Sequence, residues 1–115
     1  MIAHVVLFTP SASMSPQARD AFVDLLRAAF SHTPGIERVR LGRRTRLGRP
    51  YDDVMTIPVE YAAVLEFGTE EALRGYLDHP EHSALGRRFF ELADVALVYD
   101  FVMVEPERVD ELVDA

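Results

Sequence analysis

The chain of 115 residues has no cysteine. Disulfides, thiolate nucleophiles and Cys-based zinc or iron–sulfur sites are therefore excluded, and stability has to come from packing and association. Lysine is absent too, so all twelve Lys/Arg positions are arginine. No apolar run approaches the ~18 residues of a membrane span. The opening "MIAHVVLF" enters an apolar stretch directly, without the basic n-region of a signal peptide. The expectation is a cytoplasmic protein with no membrane partner. A phosphate-cradling glycine loop is missing, because "LGRRTRLG" lacks the lysine–serine pair, and so is a G-x-S-x-G serine nucleophile.

Positive charge is scarce in the second half. Residues 1–57 carry eight arginines against five acids, net +3, whereas residues 58–115 carry four against fourteen, net −10. An acidic chain makes a poor nucleic-acid binder, since that binding is driven largely by neutralising phosphates. No nucleic-acid partner is expected, although Arg38, Arg40, Arg43, Arg44, Arg46 and Arg49 crowd one segment. Arginine binds phosphate or carboxylate in bidentate fashion. The plainer reading is a solvated hairpin whose charge balances the acidic tail.

What is present suits one folded module, with about half the residues hydrophobic and a length that allows one core. "IAHVVLF" (2–8) is β-branched and aromatic and runs into a loop composition, so it reads as a strand. Ser15 and Pro16 form a helix start, and Phe22, Leu25, Leu26 and Ala29 share one helical face. Thr33-Pro34-Gly35 ends that helix, leaving His32 in an exposed C-cap region. A second strand is expected over Ile36–Leu41, a long connection over 42–57 and a third strand over 59–67. Thr69 caps a helix that must stop near Asp78, because Pro80 disfavours helical geometry at the residue before it. A further helix runs from Pro80 to about Leu92, and "VALVYDFVMV" (95–104) is the last strand. The acidic tail, 105–115, is expected to hold one short helix beyond a domain spanning 1–104.

The order β-α-β-β-α-β predicts an α+β fold of ferredoxin-like type, an antiparallel sheet with helices on one face. A strand with one wet face should alternate apolar and polar residues, but the first and last strands are apolar on both parities. The second face is expected to be covered by another copy, through residues such as Val5, Leu7, Val98 and Val102.

The polar residues of "GYLDHPEH" (75–82) then take sides. His82 shares a helical face with Leu85, Phe89 and Leu92, Tyr76 turns inward after Leu73, and His79 caps or exits. If the parity of Ile2, His4, Val6 and Phe8 faces the helices, His4, Tyr76 and His82 converge on one pocket. Two readings stand open: hydrogen-bonded core groups closing the helix break, or an acid/base pair in which imidazole is the base and the phenol donates to a carbonyl or enolate oxygen. His79 and His82 could share a metal only with a third donor such as Glu81 or His4 in suitable geometry, and no metal is assigned.

"HVVLF", "TPGI", "AAVLEF" with its acidic cap, "YLDHPEH" and the closing "VYDF", in this order, resemble the stress-responsive A/B barrel (Dabb) family of dimeric α+β-barrel proteins. The resemblance covers residues 2–103, and the arginine-rich connection and acidic tail depart from it. It implies a homodimer with a pocket between sheet and helices in each subunit. The resemblance supports a small-molecule-binding protein of the stress-response type, with His4, Val6, Phe8, Phe22, Tyr61, Tyr76, His82 and Phe89 lining the pocket and no cofactor. The alternatives it carries are a cofactor-free cyclase or isomerase, in which the family's polyketide cyclase implies catalytic roles for Tyr76 and His82, and a cofactor-independent monooxygenase.

Overall fold

Helix starts are set by side chains that satisfy the first free N–H groups. In the computed structural model, which describes residues 1–31 and 33–113, the Ser15 hydroxyl accepts from the Ala18 N–H at 3.1 Å and Pro16 opens helix α1 (Pro16–Phe30). Thr69 does the same for α3 (Glu70–Asp78), accepting from the Ala72 N–H at 3.1 Å. Gly35, with φ 91°, takes the left-handed turn into the second strand, a conformation that costs glycine little. His32, with its expected C-cap position, lies outside the described residues.

The order is β1 (Ile2–Pro10), α1, β2 (Ile36–Arg43), α2 (Pro50–Val54), β3 (Tyr61–Phe67), α3, α4 (Pro80–Leu92) and β4 (Ala93–Val102), followed by a 3-10 turn (Pro106–Arg108) and α5 (Val109–Val113). The strands form one sheet in the order β2-β3-β1-β4, antiparallel throughout. This is the expected ferredoxin-like architecture. Three boundaries differ from expectation. The connection 42–57 contains α2, whose Arg49 N–H is held by the Asp52 carboxylate at 2.9 Å. β3 starts at Tyr61, because Thr9 draws in the backbone before it through Pro58 and Glu60. β4 follows α4 without a loop and ends at Val102.

Ring and aliphatic side chains from β1, β3, α1 and α3 make the core. Phe67 and Leu65 are fully buried beside Phe8, Phe22, Ala63, Leu73 and Tyr76, and no residue of α4 is buried to that degree.

Register decides which face each strand residue takes, since residues directly opposite in an antiparallel pair share a face. His4 lies opposite Leu65 and Asp100, and Val6 opposite Ala63 and Val98. This parity faces the helices. The bare face therefore carries Val5 and Leu7 with Leu97, Tyr99 and Phe101. The expectation for Val98 and Val102 is corrected: they pair with Val6 and Ile2 and belong to the helix side, exposed there because β4 is an edge strand. Tyr99 and Phe101 remain about half exposed, at 51% and 50%. The radius of gyration, 15.9 Å, exceeds the ~13 Å expected of a compact chain of this length. One layer of the fold lies open. No helix among the described residues is long and apolar enough to cross a membrane.

Phe67→Ala should cost about 3–5 kcal/mol in urea denaturation at fixed protein concentration, because its ring is fully buried. A loss below about 1 kcal/mol would mean that the core does not depend on this ring.

Candidate ligand-binding site

His4 is buried, at 4% exposure, in the middle of β1. Its Nδ1 lies 2.5 Å from Oδ1 of Asp100, directly across in β4. A carboxylate only accepts, so Nδ1 is the donor of this bond. The His4 ring meets Tyr76 edge-on with centroids 6.2 Å apart, and Tyr76 lies 4.5 Å from the His82 ring. Phe67 supports Tyr76 from below at 5.4 Å.

The helix break holds this row of rings in place. His79 is at once the C-cap of α3, its N–H donating to the Tyr76 carbonyl at 3.3 Å, and the N-cap of α4, its Nδ1 accepting from the Glu81 N–H at 3.2 Å. Tyr76 thus closes one helix while His82 opens the next, both turned to the same side.

Between the rings and the helices lies a cavity of about 240 Å³. Among the described residues His4, Tyr76 and His82 are its only polar side chains; the rest of that lining is aliphatic and aromatic surface from β1, β3, β4, α1, α3 and α4. Val6, Phe8 and Phe89 line it as well. Phe22 and Tyr61 do not. Phe22 is packed behind, stacked on Phe89 at 5.9 Å and edge-on to Phe8 at 6.1 Å, and Tyr61 stacks on the far side of Phe8 at 5.6 Å. Both shape the wall from outside it.

Two features escaped the sequence reading. Asp100 is an acid flanked by apolar residues in the last strand, as His4 is a lone base in the first, and an antiparallel pairing of the two strands would have matched them. Gly86 lies one turn after His82, and a Cβ there would sit 3.9 Å from the His82 ring. Glycine inside a helix is destabilising by roughly 0.5–1 kcal/mol relative to alanine. Its missing side chain leaves open space at the cavity wall.

Burial separates the protonation behaviour of the pair. It pushes the Tyr76 phenol up to about 12, so the ring stays a hydrogen-bond donor throughout the physiological range. It pulls His82 below its ordinary value, helped by the nearby His4 and opposed by the Leu77 backbone, so the imidazole is neutral near pH 7 and can accept a proton. No cluster of three or more His, Asp or Glu side chains that could hold a metal occurs among the described residues.

Residues 2–103 match the stress responsive A/B barrel domain family. Among solved structures, a Dabb family protein with a ferredoxin-like fold from Mesorhizobium loti is 25% identical, with a TM-score of 0.70 over 90% of this chain and 97% of that one. A dimeric ferredoxin-like protein of unknown function from Thermobifida fusca is 20% identical, with a TM-score of 0.66 over 89% and 90%. The hydroxynitrile lyase of Passiflora edulis, 13% identical, superposes with a TM-score of 0.72 over 90% of this chain and 94% of that one. No curated protein sequence matches the chain.

A histidine held below its unfolded value of 6.5 gives stability that is present above that pH and lost as pH falls through the folded value, because the unfolded chain binds the proton first. Thermal melts at pH 7.5 and pH 5 should therefore show a larger drop for the wild type than for His82→Gln. Equal drops would mean that His82 titrates as it does in the unfolded chain.

Proposed function

Because the chain belongs to the stress responsive A/B barrel domain family, we propose that it works as a homodimer in which each subunit holds a small apolar or aromatic molecule between sheet and helices. One observation carries the ligand reading: an apolar cavity with its three polar side chains gathered along one side. Such a site takes up an apolar body and orients one oxygen-bearing end. A carbonyl or phenol at that end would accept from the Tyr76 hydroxyl and face His82. The dimer reading rests on the bare sheet face, where each of Val5, Leu7, Leu97 and Phe101 would contribute up to ~1.5–3 kcal/mol on full burial, less the cost of association. The Thermobifida fusca protein of the same fold is dimeric, which favours this reading.

A second reading follows from the 4.5 Å approach of Tyr76 and His82. A neutral imidazole beside a phenol that stays protonated can remove a proton α to a carbonyl while the phenol stabilises the enolate oxygen. That is cofactor-free acid/base chemistry of the cyclase or isomerase class. The hydroxynitrile lyase neighbour supports only the point that this fold can host an enzyme.

Sedimentation equilibrium at micromolar concentration should give twice the 13.0 kDa chain mass, and Val5→Asp combined with Leu97→Asp should give a folded monomer. A monomeric wild type would refute the dimer.

Calorimetric titration with 4-hydroxyacetophenone and longer alkyl aryl ketones should show one saturable site per subunit. Gly86→Leu, which fills the cavity, should abolish binding without unfolding the chain, and Tyr76→Phe should weaken it by about tenfold, the worth of one hydrogen bond. Absence of binding across the series, or binding untouched by Gly86→Leu, would sink the ligand reading. If the pair is catalytic, deuterium exchange at the ketone's α-carbon, followed by NMR, should fall ~10²–10⁴-fold in His82→Gln.

A further inference from the structure

The connection that leaves β2 and the tail that follows β4 both present apolar side chains to solvent. On the connection these are Leu47, Tyr51, Val54, Met55 and Ile57, each more than half exposed. On the tail they are Val109, Leu112 and Val113, at i, i+3 and i+4 of α5, a single helical stripe that is 55%, 43% and 78% exposed. Among the described residues α5 packs mainly on its own 3-10 turn.

The two segments also carry opposite charge. Arg43, Arg44, Arg46 and Arg49 lie on or beside the connection, and among the described residues only Arg46 is paired, with Glu60. Glu105, Glu107, Asp110 and Glu111 lie on the tail, where only Glu111 is paired, with Arg108.

Within one chain they leave the sheet at opposite corners. The connection leaves the sheet at the β2 edge, where Arg43 is opposite Tyr61, and the tail leaves at the β4 edge, where Val102 is opposite Ile2. Three strand spacings and six residues of rise put these diagonal corners about 25 Å apart. A two-fold axis running along the other diagonal, in the plane between two sheets laid bare face to bare face, would bring each connection over the tail corner of the other copy, and would do so twice.

A groove of about 590 Å³ already opens there, between the connection and the bare face. Tyr51, Met55 and Ile57 of the connection and Leu7 and Leu97 of the bare face line it, with Arg43 and Arg44 beside the carboxylates of Asp52 and Glu60. We propose that the C-terminal segment 105–113 of a second copy of this chain docks in this groove, with Val109, Leu112 and Val113 against the apolar wall and its carboxylates on the arginines. The proposal rests on the homodimer reading above and adds to it a specific contact. Like-charged alternatives, connection on connection or tail on tail, would repel.

The absence of cysteine makes the test direct. Chains carrying Arg49→Cys and chains carrying Asp110→Cys, mixed and treated with a short bismaleimide, should give a covalent dimer on a denaturing gel, while either variant alone should give far less. In sedimentation, deletion of 105–115 should weaken dimerisation by about tenfold or more. Arg44→Glu with Arg49→Glu should weaken it similarly, and adding Glu107→Arg with Asp110→Arg should restore it. A wild-type dimer of unchanged affinity on deletion, with no mixed cross-link, would overturn the docking and leave the sheet-face dimer standing. A wild-type chain monomeric at every concentration would overturn both. Cross-linking only within single chains would place the tail on its own subunit and likewise refute the proposal.

Discussion

The pairing of β1 with β3 on one side and β4 on the other governs the rest of the molecule. Strand side chains alternate with period two, so a slip of one residue in either pairing would turn every facing residue over. His4 would then point to the bare face, away from Tyr76, and Leu65 and Phe67 would leave the core. The observed register gives one face to the helices and the cavity and leaves on the other an apolar area of Val5, Leu7, Leu97, Tyr99 and Phe101, bordered by Arg38, Arg40 and Glu66. Fold and site are consequences of the same set of backbone hydrogen bonds.

That register also explains what the sequence could and could not convey. Helix starts were legible because Ser15 and Thr69 cap through their own side chains within three residues, and the break at His79 was legible because proline acts on its immediate neighbour. Tyr76 and His82 turn inward by helical spacing alone, and His4 by strand parity. Asp100 and the side taken by Val98 and Val102 were not legible, because parity within β4 says nothing about which parity matches that of β1; only the pairing of residues nearly a hundred positions apart decides it. Phe22 and Tyr61, expected in the pocket lining, pack against Phe8 without lining the cavity, because aromatic rings in one layer screen one another and which ring forms the surface of a cavity depends on packing depth. The helix α2 escaped because five residues opened by a proline carry too little periodicity to register.

The cavity owes its existence to incomplete packing of α4. His82, Leu85 and Phe89 point inward as their spacing requires, yet none reaches full burial, and Gly86 withdraws a side chain where one more would have filled the space. Closely packed interiors leave few voids of this size. The same helix that completes the hydrophobic layer therefore leaves room beneath it, and the three polar rings stand along its near end.

His79 joins α3 to α4 with no intervening residue, serving as cap to both. A joint of one residue has no slack. Tyr76 and His82, three residues to either side, are set relative to each other by that joint and not by what lies farther along α4. Variation at the distant end, around Phe89 and Phe90, can lengthen or shorten the chamber while the spacing of the two polar rings is kept. A lineage built on this joint is free to change the size of what it holds without rebuilding the end that grips it.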